Sequence, residues 1–399
     1  MIVGIIVLII TGIASFRIIA KYGTRFPFLN VSLMQNIYFM HLFMSVVYFL
    51  YAAFNPSDSH FYYEKVMLDY RGPSWIDFYG TSTTFIEWVG YPFIRYFGFS
   101  YEAMMVLFSF MGFLGFIYFY IFFKEHVKFR HKVFGIELLP IIFLLPNLHF
   151  WSASFGKGSI ILLGMGLFFF SLSSPKERFV PLLIGSFIIY HVRPHIMLVM
   201  IISSILAFTF SSKGLNTSLR VALILVSIIS FYFIYEDVLT LVGIEQGEEF
   251  AQGLDLTHRA EELTKATSGV DITSYSLPMQ VFTFLFRPLF IDAPGLLGLI
   301  VSFENVFYLG MLLIILNIKG FSFIVKGNYL VKAAFFSFIF VSIALAQISG
   351  NLGIAIRQKS QVMFLFLFFV IAFLDQQKMV RYLEFRRRAK KTSKVVNQS

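Results

Sequence analysis

The sequence predicts an all-α, polytopic integral membrane protein with about eleven transmembrane helices, and three observations carry that expectation. Of 399 residues, 58% are hydrophobic, 19% aromatic and only 14% charged, with a mean hydropathy of +0.77. A soluble chain of this length needs far more polar surface. Apolar stretches recur from Ile2 to Leu374, near the roughly 20 residues a helix needs to cross about 30 Å of hydrocarbon. Finally, the basic residues between those stretches fall on alternate sides in one consistent pattern.

Taken in order, the expected spans are 1–19, 34–53, 101–122, 134–150, 157–173, 179–193, 195–211, 220–242, 296–317, 329–348 and 358–375. The first is apolar from its start, with no basic leader and no small-residue cleavage site, so it reads as a retained helix rather than a signal peptide. Together they make a single transmembrane domain over 1–375, followed by a basic tail over 376–399. An odd number of spans puts the termini on opposite sides. The tail carries Arg386, Arg387, Arg388, Lys390 and Lys391, so the positive-inside rule makes it cytoplasmic and the N-terminus external. With this orientation the inner side holds 22 of the 32 Lys and Arg residues, but only the acids Glu125, Glu177, Asp375 and Glu384.

Several function classes drop out. The chain has no cysteine, which excludes disulfides, thiolate catalysis and Cys-ligated metals. No glycine-rich phosphate loop, soluble nucleotide-binding unit or internal repeat is visible. That points away from an ATP-driven pump and from a nucleotide-sugar donor. The formal charge of +10 is concentrated in inner loops and the tail, where it anchors topology beside anionic lipid, and no nucleic-acid partner is expected.

Two long segments, 54–100 and 243–295, fall on the outer side, so that face is expected to carry the site. Thr83 to Tyr96 suits an interfacial helix with Trp88, Tyr91 and Phe93 as anchors. Residues 245–266 suit one or two short extramembrane helices, either a solvated acidic face or a lid. Five cations stand where the positive-inside rule does not put them: Lys157, Arg193 in YHVRPH, Arg287 in LFRPLF, and Arg357 with Lys359. Charges at the hydrocarbon edge need partners or reach back to water. Converging on one cavity, they would hold a lipid diphosphate and stabilise it as it leaves. The alternative is that each pairs with an acid such as Asp292 or Glu304, or anchors to lipid headgroups. Proline disfavours helix at the residue before it, so Arg193 and Arg287 are expected on broken backbone, tolerated in a membrane only against protein or a wet cavity.

Asp58 and His60 open the first outer loop. Asp58 suits either proton removal from a sugar hydroxyl or ligation of a divalent ion, Mg2+ or Mn2+, facing the diphosphate; it also suits a helix-capping or turn residue after Pro56. His60 or His195 are alternative proton carriers. The two histidines of HVRPH lack the three or four ligands of a zinc site, so no structural metal is expected. Trp75 and Trp151 are candidate sugar-stacking rings, or ordinary interfacial tryptophans like Trp88.

The run LPNLHFWSASFGKGSIILLGMGL (145–167), with Pro146, Phe150, Trp151, Ser152 and Lys157, resembles a pattern in bacterial membrane glycosyltransferases and polysaccharide polymerases. Arg193–Pro194, Arg287–Pro288 and Gly353 with Arg357 look like further marks of that group, each short. The broader likeness is to GT-C glycosyltransferases and O-antigen-type polymerases. It implies a bacterial inner-membrane enzyme that transfers sugar units from a polyprenyl-(di)phosphate-linked donor at the outer face. By that resemblance Asp58 inherits the acidic role of the first outer loop, although a paired DD or DxD is missing. Arg193, Arg287 and Arg357 inherit diphosphate binding, with Lys157, His195 and Lys359 beside them. The implied partners are the lipid-linked glycan, membrane lipid and other polysaccharide-biosynthesis or export proteins. Transfer from a polyprenyl monophosphate, glycan flipping and a noncatalytic envelope subunit remain as alternatives.

Overall fold

The computed structural model describes residues 2–133, 135–212, 215–230, 232, 275–293, 295–347 and 352–396, with side-chain surroundings through Arg388. The expected extramembrane helices over 245–266 lie outside the described residues, as does the end of the 220–242 span.

Among the described residues the chain is predominantly helical. In order come α1 (Ile2–Arg25), α2 (Val31–Phe54), α3 (Asp58–Met67), α4 (Thr83–Tyr91) and α5 (Tyr101–His126). A minimal hairpin of β1 (Lys132–Val133) and β2 (Ile136–Glu137) then leads to α6 (Leu138–Phe143), α7 (Pro146–Ser152), α8 (Lys157–Leu172), α9 (Phe179–Val192) and α10 (Pro194–Ser211). The remainder is α11 (Thr217–Ser230), α12 (Leu277–Phe286), α13 (Gly295–Ile315), α14 (Ile318–Lys326), α15 (Tyr329–Ala346) and α16 (Leu352–Val396). Seven helices among the described residues, α1, α2, α5, α10, α13, α15 and α16, are long and apolar enough to cross a membrane. Shorter apolar helices are α8, α9, α11, α12 and the run α6–α7. The architecture is consistent with a multi-pass helical membrane protein.

Helix α5 packs on α8, α8 on α9, α10 on α15, and α15 on α16, while α1 and α2 lie against α5. Glycine makes the tightest crossings possible. A Cβ at Gly185 would sit 2.8 Å from the Gly164 carbonyl oxygen, and one at Gly166 would sit 2.8 Å from that of Gly115. Small residues let helix backbones approach where lipid supplies no hydrophobic drive. At the periphery, α1 turns Ile2, Ile5, Ile6, Ile9, Ile10 and Ile13 outward. Such a stripe is a liability in water and unremarkable against lipid.

The structure differs from the sequence expectation in four places. The expected 134–150 span is a hairpin and two short helices, because Pro146 pushes Leu145 to extended backbone (φ −62°, ψ 120°). The last helix does not end near 375 but runs 45 residues, since 376–396 contains no glycine or proline to stop it. Helix α12 is an additional element that the span pattern did not contain. The 83–96 helix forms, but Tyr91 is buried and donates to the Pro73 carbonyl at 2.8 Å instead of sitting at a free interface.

Candidate functional site

A cavity of about 540 Å³ lies between α2, α7, α13 and α16. Its walls are apolar: Met44 and Val47 from α2, Leu297, Ile300 and Val301 from α13, and Ile354 from α16. Leu297 and Ile300 are also exposed, so the cavity meets the outer surface of the helix bundle along α13. Its polar lining contains Tyr48, Ser57, Asp58, Asn147, Trp151 and Arg357.

Local sequence explains how Asp58 is held. Ser57 caps α3, and Asp58 occupies the first turn, where a carboxylate suits the helix dipole. A chain of hydroxyls fixes this turn: Tyr48 to Ser57 at 3.0 Å, Ser57 to Ser59 at 2.8 Å, and Ser59 to Tyr101 at 2.7 Å. The Arg357 guanidinium, from α16, donates to the Asp58 carboxylate at 2.5 Å and lies 5.7 Å from the Trp151 ring centre. Asn147 ties the arrangement together. Its side chain accepts from the Trp151 indole N–H at 3.0 Å and donates to the Ile356 carbonyl at 3.3 Å, while its backbone N–H donates to Glu304 at 2.6 Å.

The other sequence candidates lie elsewhere. Lys359 is fully buried beside the cavity, and its ammonium donates to the Arg287 carbonyl at 3.0 Å and to Asn305 Oδ1 at 2.6 Å. Arg287 ends α12 on extended backbone and pairs with Asp292 at 2.5 Å. Burial lowers its pKa, and the hydrogen bonds and charges of Asp292 and Tyr275 outweigh that, leaving it above the ordinary arginine value. Lys157 opens α8 and donates to the Ser82 hydroxyl at 2.8 Å. Ser82 in turn donates its backbone N–H to the His191 carbonyl at 2.6 Å, which links Lys157 to the α9–α10 break where Arg193 and His195 are buried. His60 stacks on Tyr101 with ring centres 4.3 Å apart and contacts the Ala52 carbonyl at 3.2 Å. Trp75 stacks on Trp88 at 5.0 Å and is not part of the cavity lining.

Thus Asp58, Trp151 and Arg357 come together in one cavity. Lys157 reaches Ser82, whose backbone bonds the end of α9 just before the buried Arg193 and His195, and Lys359 ties the Arg287 carbonyl to Asn305 of α13. Tyr48, Tyr51 and Asn147 also line the cavity and were not sequence candidates. Asn147 follows Pro146 in the FWS-bearing run, and an asparagine inside so apolar a stretch was the available signal. Asp58 is the one carboxylate among the described lining residues and already holds Arg357, so these residues do not form a Mg2+ or Mn2+ site on their own. Among the described residues no group of three or more His, Asp or Glu gathers as metal ligands.

No protein-family model, curated protein or solved structure matches the chain.

Proposed function

We propose that the protein is a bacterial inner-membrane glycosyltransferase or polysaccharide polymerase, using a polyprenyl-(di)phosphate-linked sugar donor at the outer face. One observation carries this reading: an Asp–Arg pair and an aromatic ring stand in a largely apolar cavity flanked by exposed apolar residues of α13. An amphiphile fits such a cavity, its chain along Met44, Val47, Leu297 and Ile300 and its phosphate at Arg357. In the reaction an acceptor hydroxyl attacks the anomeric carbon. The carbon–oxygen bond to phosphate breaks, with its electron pair leaving on the phosphate oxygen. Asp58 takes the hydroxyl proton, and Arg357 turns from Asp58 to the departing phosphate. Trp151 supplies a face for the sugar ring. In this reading the N-terminus is external and the basic end of α16 cytoplasmic.

A second reading, transfer from a polyprenyl monophosphate sugar, is favoured by the cation count. Arg357 is the one cation among the described residues lining the cavity. The test is to give purified protein matched mono- and diphosphate-linked donors with glycan acceptors and to follow the released lipid phosphate. Turnover with a diphosphate donor supports the first reading, turnover with the monophosphate alone supports the second, and turnover with neither removes both.

A further inference from the structure

Two buried histidines meet inside the helix bundle. His41 of α2 and His149 of α7 face each other through their Nδ1 atoms at 3.0 Å. The other nitrogen of each ring is turned to a backbone carbonyl. His41 Nε2 lies 3.0 Å from the Ser109 oxygen, and His149 Nε2 lies 2.9 Å from the Phe143 oxygen. A carbonyl oxygen only accepts, so each Nε2 must carry a hydrogen to make its bond. A neutral imidazole has one hydrogen in all. With both placed on Nε2, the two Nδ1 atoms present lone pairs to each other. Moving either hydrogen to Nδ1 repairs that contact and leaves a bare nitrogen against a carbonyl. Three contacts need three hydrogens, and two neutral rings bring two.

We infer that His41 and His149 form a proton-binding site, in which a third proton bonds to one Nδ1 and is accepted by the lone pair of the other. No other bond breaks, and the pair gains one positive charge. Around it stand the Ser109 carbonyl and Phe116 of α5, the Phe143 carbonyl at the end of α6, the Ser152 carbonyl of α7, and Tyr38 one turn before His41 on α2. Helix α1 brings Thr11 to the small cavity beside His41, and α16 brings Phe364 behind Phe116. Among the described residues no carboxylate, lysine or arginine acts on either ring. The charge is instead met by the completed hydrogen bonds and by Phe116, which stacks on His149 with ring centres 4.1 Å apart.

The ligand count among the described residues favours a proton over a metal. A tetrahedral ion with bonds of about 2.0 Å needs nitrogens about 3.3 Å apart and two more ligands. The separation here is 3.0 Å, and the described residues offer no third His, Asp or Glu. The position of the pair gives it reach. His41 lies one turn before Met44, and His149 lies between Asn147 and Trp151, so the bridge joins two helices that line the 540 Å³ cavity. Losing the proton replaces an attractive contact between α2 and α7 with a repulsive one or leaves a carbonyl unmatched. By linkage, a ligand that prefers one cavity geometry shifts the proton affinity of the pair, and the reverse. None of this depends on the glycosyl-transfer reading.

The test is nitrogen NMR of the full chain in lipid nanodiscs, with ring-labelled histidine, between about pH 5 and 8. The expected result is one pair of rings coupled through a hydrogen bond, carrying three N–H groups at the acid end and losing one on a single titration. Substituting His41→Gln or His149→Gln assigns the signals by their disappearance. If a variant fails to fold, the coupled pair is still counted in the wild-type spectrum. A pair with two N–H groups at every pH in this range overturns the proposal, as does the absence of any coupling between two histidine rings.

Discussion

Asp58 and Arg357 stand 299 positions apart in the chain and meet at 2.5 Å in the cavity lining. Both side chains keep about a fifth of their surface exposed, 20% and 22%. The proposed cycle uses the pair as a resting contact that a substrate phosphate displaces.

Asp58→Asn removes the proton acceptor and keeps the shape of the α3 turn. Glycosyl transfer should fall by about 10²–10⁴-fold, the usual reach of general base catalysis. The thermal midpoint should stay close to wild type, as read by product formation and unfolding scans on the same sample. Wild-type turnover in this variant would remove Asp58 from the mechanism.

Asn147→Leu removes the side-chain partner of two groups, the Trp151 indole N–H and the Ile356 carbonyl. Each buried polar group left without a partner costs about 1–3 kcal/mol. The variant should unfold at lower temperature and lose the ordering of Trp151 beside Arg357. Tryptophan fluorescence checks the second effect, since Trp75 and Trp88 stack on each other instead.

Lys359→Met keeps most of the side-chain volume but leaves the Arg287 carbonyl and Asn305 Oδ1 without the ammonium. It should destabilise the fold by about 1–3 kcal/mol. Turnover per folded molecule should stay within a few-fold of wild type. A loss of turnover with unchanged stability would instead place Lys359 in substrate binding.

Gly185→Val adds a Cβ within 2.8 Å of the Gly164 carbonyl and 2.9 Å of the Phe168 nitrogen. Backbone atoms there yield only if α8 and α9 separate, so folded yield should drop sharply. Leu183→Val, on the exposed face of the same helix, should leave yield unchanged. Size-exclusion profiles in detergent compare the two directly.

The sequence made the long helices legible because hydrocarbon thickness dictates segment length, and α1, α2, α5 and α10 each cover most of an expected apolar run. It also located the breaks before Pro194 and after Arg287, since proline restricts the residue preceding it. The break at Leu145 was missed even though Pro146 supplied the same signal, because the surrounding run is so apolar. The sequence offered Asp292 as an acid for any of the outer cations, and its place five positions from Arg287 is the local signal that would have assigned it. Asp58 and Arg357 meet only through the tertiary arrangement of the chain, which no local pattern encodes. The imidazole pair was hidden for the same reason: His41 and His149 each sit singly in apolar helices, 108 positions apart.

The central claim is that Arg357 receives a lipid phosphate in the 540 Å³ cavity. Equilibrium binding of a polyprenyl phosphate to wild-type protein and to Arg357→Ala in nanodiscs tests it most directly. The account predicts binding to wild type, and at least a roughly tenfold loss in the variant, as a charge-assisted hydrogen bond of about 1.5–3 kcal/mol implies. Equal affinity in two samples of equal thermal stability, or no binding to either, would contradict it.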